Sequence, residues 1–490
     1  MPEERIPSIT FPIPAMPNRQ PSPDSVPSRF EVAIIGAGFS GSMLAVHLAA
    51  ADDPPKVALI ERTRSFGPGL AYGAAAKEHL LNVPAGKMSA FPDKPSDFLN
   101  WAREHSDEEN ITPGTFLPRV VYGRYLSDLL ANAARRTPEL ELIDAEAVDV
   151  EPLAEGGVRI HFADGGTLEA DNVILAWGNL PPTTPPGVCP KAVGDERFIH
   201  NPWSAEAREA LTLPGDVLII GSGLTCLDLL ATAKKMGRTG PIHVLSRHGL
   251  FPQAHNAATP RRPFLDAAQL PNNMRRLFRQ VRAEVALVES KGGDWRAVVD
   301  SLRPFIQDIW IGLPDGERRR FLRHVRTLWE TLRHRAAQQM RAVKDEFESC
   351  GQLQRHKGRL ERVNQAADAV EVIYRPRGKS ESTSIRVQTV INATGPEVNP
   401  SRAQSPLLKN LLARRMAKPD RLGLGIEITP DFTDGADPLH TVGSLRKGAL
   451  WESTAVPELR GQAAELAKHL LASREAAAAG PAGHIWIFEI

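Results

Sequence analysis

The sequence predicts an α/β fold assembled from two strand–turn–helix–strand units, with a helical segment inserted between later parts of the chain. Three observations predict it. Two short apolar runs, Glu31–Ile35 and Val217–Ile220, each lead directly into a glycine-rich turn and then a run of small and apolar residues at helical spacing. A second short apolar strand follows each helix, Lys56–Ile60 in the first unit and Ile242–Leu245 in the second. Between about Arg261 and Ser349 the pattern turns helical and basic, with Trp295, Trp310 and Trp329 along it.

The first turn reads Gly36-Ala-Gly38-Phe39-Ser40-Gly41. Gly36 permits the tight bend, Gly38 leaves room for a pyrophosphate at the helix N-terminus, and Gly41 lets helix and strand pack closely. Phe39 and Ser40 open the helix and belong to the same cradle. Glu61 follows about 20 residues later, at a strand end, where a carboxylate accepts hydrogen bonds from a ribose. The second turn, Gly221-Ser-Gly223, carries Cys226 where the third glycine would be. Arg247 stands near the end of its second strand, where an acid would favour NAD and an arginine can pair with a 2′-phosphate. These turns make the predicted class two Rossmann-like dinucleotide-binding domains, the arrangement of a two-nucleotide flavoprotein, with FAD at the first turn and NADH or NADPH at the second. Val173–Gly178 and Val390–Pro396, each a buried strand ending in a small residue and glycine, suit strands that return to a nucleotide site or pass between domains.

The remaining elements follow from alternation and turn residues. Leu140–Val150 reads as a strand, Val158–Leu168 as strands around Asp164-Gly165-Gly166, and Asn172–Trp177 as a further buried strand. Strands return near Leu360–Val363, Val370–Tyr374 and Val387–Ala393. The expected layout is a proline-rich disordered leader over 1–29, the first part of an FAD domain over 30–185, and the first part of an NAD(P) domain over 200–260. A helical insertion follows over 261–350, then strands completing the NAD(P) domain over 351–395, the rest of the FAD domain over 396–472, and a fraying tail over 473–490.

Composition excludes several functions. Of 490 residues, 59 are Lys or Arg and 58 are Asp or Glu, so the balance gives no electrostatic case for nucleic acid or an anionic membrane. No stretch approaches the ~20 apolar residues needed to span a bilayer, and the leader lacks a signal peptide's hydrophobic region, so the cytoplasm is the default location. Cys189, Cys226 and Cys350 form no close pair, which leaves no metal spacing and no dithiol beside a flavin. No His-Glu-x-x-His, Cys-x-x-Cys or Gly-x-Ser-x-Gly is present, so no bound metal and no protein nucleophile are expected.

Longer motifs carry a resemblance. They include Leu80–Met88 with Asp97, Phe98 and Trp101, and Phe116–Arg119 with Tyr122, Gly123, Tyr125 and Leu126. They continue in Arg333-His334-Arg335, Gly448–Glu452, and Ala455–Glu458 with Arg460. From about residue 30 to 470 the chain resembles a family of bacterial FAD/NAD(P)-binding proteins that includes an FAD-dependent urate hydroxylase and an aspartate N-monooxygenase. The resemblance implies that Gly36, Gly38, Gly41 and Glu61 hold FAD. It puts the segment from Asn82 to Met88 near the flavin, and Gly443 and Ser444 beside its ribityl chain. Arg119, Arg333 and Arg335 become candidates for orienting an anionic substrate, or else ion pairs at a surface or between domains. It also implies a monooxygenase using reduced nicotinamide and O2, with a small nitrogen-rich substrate. Urate, giving 5-hydroxyisourate in purine metabolism, is the first expectation, and an amino-acid or amine N-hydroxylase is the alternative. An oxidoreductase without oxygen insertion and a non-catalytic flavoprotein stay open, and the sequence is silent on oligomeric state.

Overall fold

A computed structural model describes residues 28–257, 259–427 and 438–479. The leader expected over 1–29 falls almost wholly outside these, and Arg29 already begins a strand.

Two sheets organise the chain. The first contains β1 (Arg29–Ile35), β2 (Val57–Glu61), β3 (Leu140–Asp144), β4 (Ala147–Pro152), β5 (Val158–Phe162) and β6 (Thr167–Leu175) in the order β3-β2-β1-β6-β5-β4. The second contains β7 (Phe198–Ile199), β8 (Val217–Ile220), β9 (Ile242–Ser246), β10 (Leu353–Gln365), β11 (Val370–Pro376), β12 (Thr383–Val387) and β13 (Thr389–Asn392), in the order β12-β11-β10-β9-β8-β13-β7. β14 (Leu439–Thr441) returns to the first sheet and pairs in parallel with the end of β6.

Both sheets use one long strand to join a parallel layer to an antiparallel one. β6 pairs antiparallel with β5 through Thr167–Ala170, and in parallel with β14 through Val173–Leu175. β10 pairs in parallel with β9 through Leu353–Lys357, then antiparallel with β11 from Gly358 onward. The parallel parts are buried on both faces, which is why β8 reads Val-Leu-Ile-Ile with all four residues buried.

Several boundaries differ from the sequence reading. Leu140–Val150 is two strands, because Ala145-Glu146 turn the chain out of the parallel layer into the meander. Thr167–Leu175 is one strand rather than two. Its polar step Asp171-Asn172 looks like a break, yet Asp171 pairs with Arg29 and the Asn172 amide lies 3.4 Å from the Glu31 carbonyl. The 387–393 run divides into the end of β12 and β13.

Helices cover the sheets. Helix Phe39–Ala49 shares a core with helix Val456–Ala479, through Met43, Leu44, Val456, Ala463 and Leu466. That helix carries the chain well past the expected tail start at 473, and residues 480–490 lie outside the described part. Within 261–350, helices Met274–Ser290, Ile306–Gly312 and Asp315–His324 form a separate cluster around Trp310, closed by Leu424 and Trp451. The last helix, Gln338–Ser349, packs Met340 and Phe347 into the second sheet's core instead, so the insertion ends before it. No helix among the described residues is long and apolar enough to cross a membrane.

Candidate functional site

The first glycine turn is shaped by close approaches. Gly36 has φ +105°, and a Cβ there would lie 2.7 Å from the Ala176 carbonyl oxygen. A Cβ on Gly41 would lie 1.9 Å from the Gly36 carbonyl oxygen. Gly38 differs: its Cβ would meet only Gly69 Cα at 3.6 Å, so its side chain is absent without the fold demanding it. Gly38 is the N-cap of helix Phe39–Ala49, and no side chain caps that helix. The helix end therefore offers uncapped N–H groups beside open space, which fits a pyrophosphate. Glu61 Oε2 accepts from the Ala37 N–H at 3.0 Å, and Oε1 accepts from the Thr63 hydroxyl at 2.7 Å. The carboxylate is thus held at the turn where a ribose would lie.

Far-separated segments meet here. Gly443 has φ +88°, donates its N–H to Gln462 Oε1 at 3.1 Å, and would place a Cβ 3.1 Å from Ser40 Oγ. Ser444 Oγ donates to the Gly178 carbonyl. Ser444 and Gly178 also line a cavity of about 140 Å³ with Pro396, Glu397, Lys447 and Thr454. The carboxylate of Glu397 is committed to its walls, accepting from the Val398 and Asn399 N–H groups and the Thr183 hydroxyl. Lys447 makes no ion pair among the described residues. Its ammonium lies 4.9 Å from the Trp451 ring centre, and burial pulls its pKa down.

The second turn repeats the first in register. Ile35 pairs with Ile60 and Ile220 with Leu245. Gly36 donates to the Ile60 carbonyl at 2.9 Å, and Gly221 to the Leu245 carbonyl at 2.9 Å. Gly221 has φ +114° and a Cβ would strike the Ala393 carbonyl oxygen at 2.2 Å, whereas a Cβ on Gly223 would meet nothing within 4 Å. By this register Ser246 stands where Glu61 stands in the first unit, so no carboxylate occupies that position of the second turn. Beyond it are exposed Arg247 and half-buried His248, and Arg377 Nη1 contacts His248 Nδ1. Burial first, then Arg377 and Arg247, lower the His248 pKa. Lys357 packs its stem beside Gly249. Sequence reading found Arg247 but not Ser246, whose position is countable from the strand ends, nor Arg377, which reaches the site only through the β11 pairing.

The three candidate arginines are all ion-paired. Arg119 Nη2 lies 3.1 and 2.9 Å from the two Asp228 carboxylate oxygens, across the seam between the two sheets' domains. Arg333 lies 2.8 Å from Glu452 and 3.6 Å from Glu458, and Arg303 also holds Glu458 at 2.8 Å. This network pins the helical insertion to the segment before helix Val456–Ala479 through Glu452 and to the helix's first turn through Glu458. Arg335 pairs with Asp300. None of them is presented to the 140 Å³ cavity.

Asn82 and Met88 occupy a loop against the first core. Met88 is buried, and the Asn82 carbonyl accepts from His255 Nε2 at 2.9 Å. Burial lowers the His255 pKa to about 4, so the ring stays neutral. Among the described residues no group of three His, Cys, Asp or Glu is arranged to hold a metal.

Residues 33–180 match the FAD-NAD(P)-binding family model. Over 526 aligned residues the chain is 22% identical to an uncharacterised Mycobacterium bovis protein, covering 93% of this chain and 98% of that one. A shorter match, 31% identical over 163 residues, covers 29% of this chain and 38% of the FAD-dependent monooxygenase azaH of Aspergillus niger. Among solved structures, the cadaverine monooxygenase DfoA of Erwinia amylovora superposes with a TM-score of 0.66 at 13% identity, covering 91% and 95% of the two chains. The ornithine N-hydroxylase of Kutzneria sp. 744 superposes with a TM-score of 0.62 at 16% identity, covering 91% of this chain and all of that one. The fold is that of a flavoprotein with two dinucleotide-binding domains.

Proposed function

We propose that the chain is an FAD-dependent monooxygenase that uses NADPH and O2 to N-hydroxylate an amine or amino acid. The observation that carries the reading is the pair of register-equivalent turns: Glu61 stands at the first, while Ser246 replaces the acid at the second. Arg247 and Arg377 flank that second position. This suits FAD at one turn and a 2′-phosphorylated nicotinamide nucleotide at the other. Nothing in the comparisons favours urate, and the whole-length structural likeness to cadaverine and ornithine hydroxylases moves the substrate reading to N-hydroxylation.

When bound, reduced nicotinamide supplies a hydride to FAD and the reduced flavin activates O2 for hydroxyl transfer. The chain's own residues bind and orient. Gly38 gives access to the helix N-terminus, Glu61 takes the adenosine ribose, and Gly443 and Ser444 face Ser40 and Gly178 from the far end of the chain. Lys447 lines the cavity and makes no ion pair among the described residues, although its ammonium rests 4.9 Å from the Trp451 ring centre; swung towards the cavity, it suits a substrate carboxylate better than the three paired arginines do.

The test is oxidation of NADPH and NADH by the FAD-loaded protein, with oxygen uptake and peroxide release followed. Ornithine, lysine, aspartate and cadaverine would be added in turn, and urate as a control. Amine-stimulated NADPH oxidation with hydroxylamine formed and little peroxide is the expected result. Oxidation that ignores every amine and returns all oxygen as peroxide would defeat the N-hydroxylase reading. Lys447→Met should raise KM for a carboxylate-bearing amine by about tenfold and leave that for cadaverine unchanged.

A further inference from the structure

The seam between the two domains holds a buried polar cluster that neither nucleotide site uses. Arg119 stands at the start of helix Arg119–Arg136 in the first domain, and Asp228 lies in the first turns of helix Leu224–Lys235, the helix that begins at Gly223. Asp228 is 2% exposed. Arg119 is fixed on three sides: its Nε donates to the Leu80 carbonyl at 3.1 Å, its guanidinium lies 5.6 Å from the Trp203 ring centre, and its backbone N–H donates to the His79 carbonyl at 2.8 Å. Next to it His79 Nε2 lies 2.8 Å from Thr232 Oγ1, one turn further along the same second-domain helix. Leu80 packs against the second domain's core, beside a gap of only about 10 Å³ lined by Asn82, Arg119, Leu224 and Asp228. The helix that presents the second nucleotide turn is therefore keyed to the loop that carries Asn82.

We infer that the Arg119–Asp228 pair is a positioning device that sets the spacing between the two nucleotide turns, and so controls how fast electrons pass from the nicotinamide to the flavin. The inference rests on the functional reading above. A long-range pair buried at a seam holds one arrangement only while both charges are present, because removing either leaves the other unpaired in a poorly solvated place. Small misplacement at a transfer step costs far more rate than affinity.

Burial also sets the ionisation of the pair. Burial raises the Asp228 pKa to about 6, with Arg119 opposing the shift and Glu78 adding to it. The other groups facing it are Cys226 on its own helix, His79, whose pKa burial and Arg119 lower to about 4, and Arg208, which pairs with Glu78. Acidification through about 6 protonates Asp228 before His79 titrates. Because burial in the closed seam raises this pKa above that of a solvated carboxyl, the closed arrangement binds the proton more tightly than an opened one would, so acidification does not open the seam.

The experiment uses the FAD-loaded full chain with spin labels at Arg136→Cys and Lys235→Cys, one exposed position on each domain, in a background where Cys189 and Cys350 are serine. Asp228→Asn and Arg119→Gln are expected to broaden the label distance distribution. They should slow anaerobic flavin reduction by NADPH about tenfold or more, while the Kd for NADPH moves less than about threefold. An unchanged reduction rate and distance distribution in both variants overturns the inference. Should either variant misfold, Arg119→Lys, which keeps the charge but not the planar fork, decides in its place, and an unchanged reduction rate and distance distribution in it overturns the inference equally. If the parent itself is reduced by neither NADPH nor NADH, the functional reading fails, and the distance measurements alone still judge the pair.

Discussion

Three glycines of the first turn are glycine for different reasons, and the difference is measurable. Gly36 and Gly41 are required by the fold, since a Cβ at either meets backbone well inside contact distance. Gly38 is not required by the fold, because a Cβ there would meet only Gly69 Cα, at 3.6 Å. Gly38→Val should therefore leave the melting temperature of the FAD-free protein within about 3 °C, allowing for the strand-favouring side chain at an N-cap, while purified protein loses nearly all bound flavin. Full flavin content in that variant would place FAD elsewhere. At the second turn, Ser246→Glu restores a carboxylate in the register position of Glu61. The ratio of kcat/KM for NADPH over NADH should fall by about tenfold or more, read by initial rates with each nucleotide. A ratio that does not move would show that Ser246 does not face the ribose.

Elements show how tertiary contacts override local reading. The helices of the insertion bury one apolar face together, yet that core is completed by Leu424 and Trp451 from outside it. Trp310, 3% exposed, packs against Phe321 and Trp451 and donates its indole N–H to the Gly448 carbonyl at 2.8 Å. Trp310→Ala removes this packing and orphans a buried carbonyl, at a cost of about 3–5 kcal/mol. Denaturant titration of the flavin-loaded protein should show the loss, and a shift below about 1 kcal/mol would mean that the insertion unfolds separately from the flavin domain. The same scale explains β6. Its polar middle, Asp171-Asn172, falls where the strand changes partners, so two residues that read as a break are satisfied by Arg29 and the Glu31 carbonyl.

For the whole molecule, the first domain is built from both ends of the chain. β14 adds to β6, and helix Val456–Ala479 lies in the core beside helix Phe39–Ala49. A chain ending at residue 437 lacks Val456, Ala463, Leu466 and Leu470 from that core, along with Gly443 and Ser444 from the site. At roughly 25 cal/mol per Å² such a loss exceeds the marginal stability of a domain, so the truncated protein should retain no FAD and show a molten first domain by near-ultraviolet circular dichroism. The two networks that tie the parts together, Arg119–Asp228 at the domain seam and Arg333–Glu452–Glu458 at the insertion, pair residues more than a hundred positions apart.

The sequence by itself determined the two nucleotide turns, the strands and helices that frame them, and Glu61. Each is local: a φ above +60°, a Cβ that would collide, or a strand end a fixed distance on leaves its mark in a few adjacent residues. It also placed Gly443 and Ser444 in one region with the first turn, though only through the likeness of longer motifs. Only the tertiary structure decided what the arginines do. Arg119, Arg333 and Arg335 look alike as isolated cations, and their meaning lies in Asp228, Glu452, Glu458 and Asp300, carboxylates brought near by packing rather than by spacing. The same holds for Arg377 beside His248 and for Lys447, because charge complementarity acts through space and is set once the sheets have closed on one another.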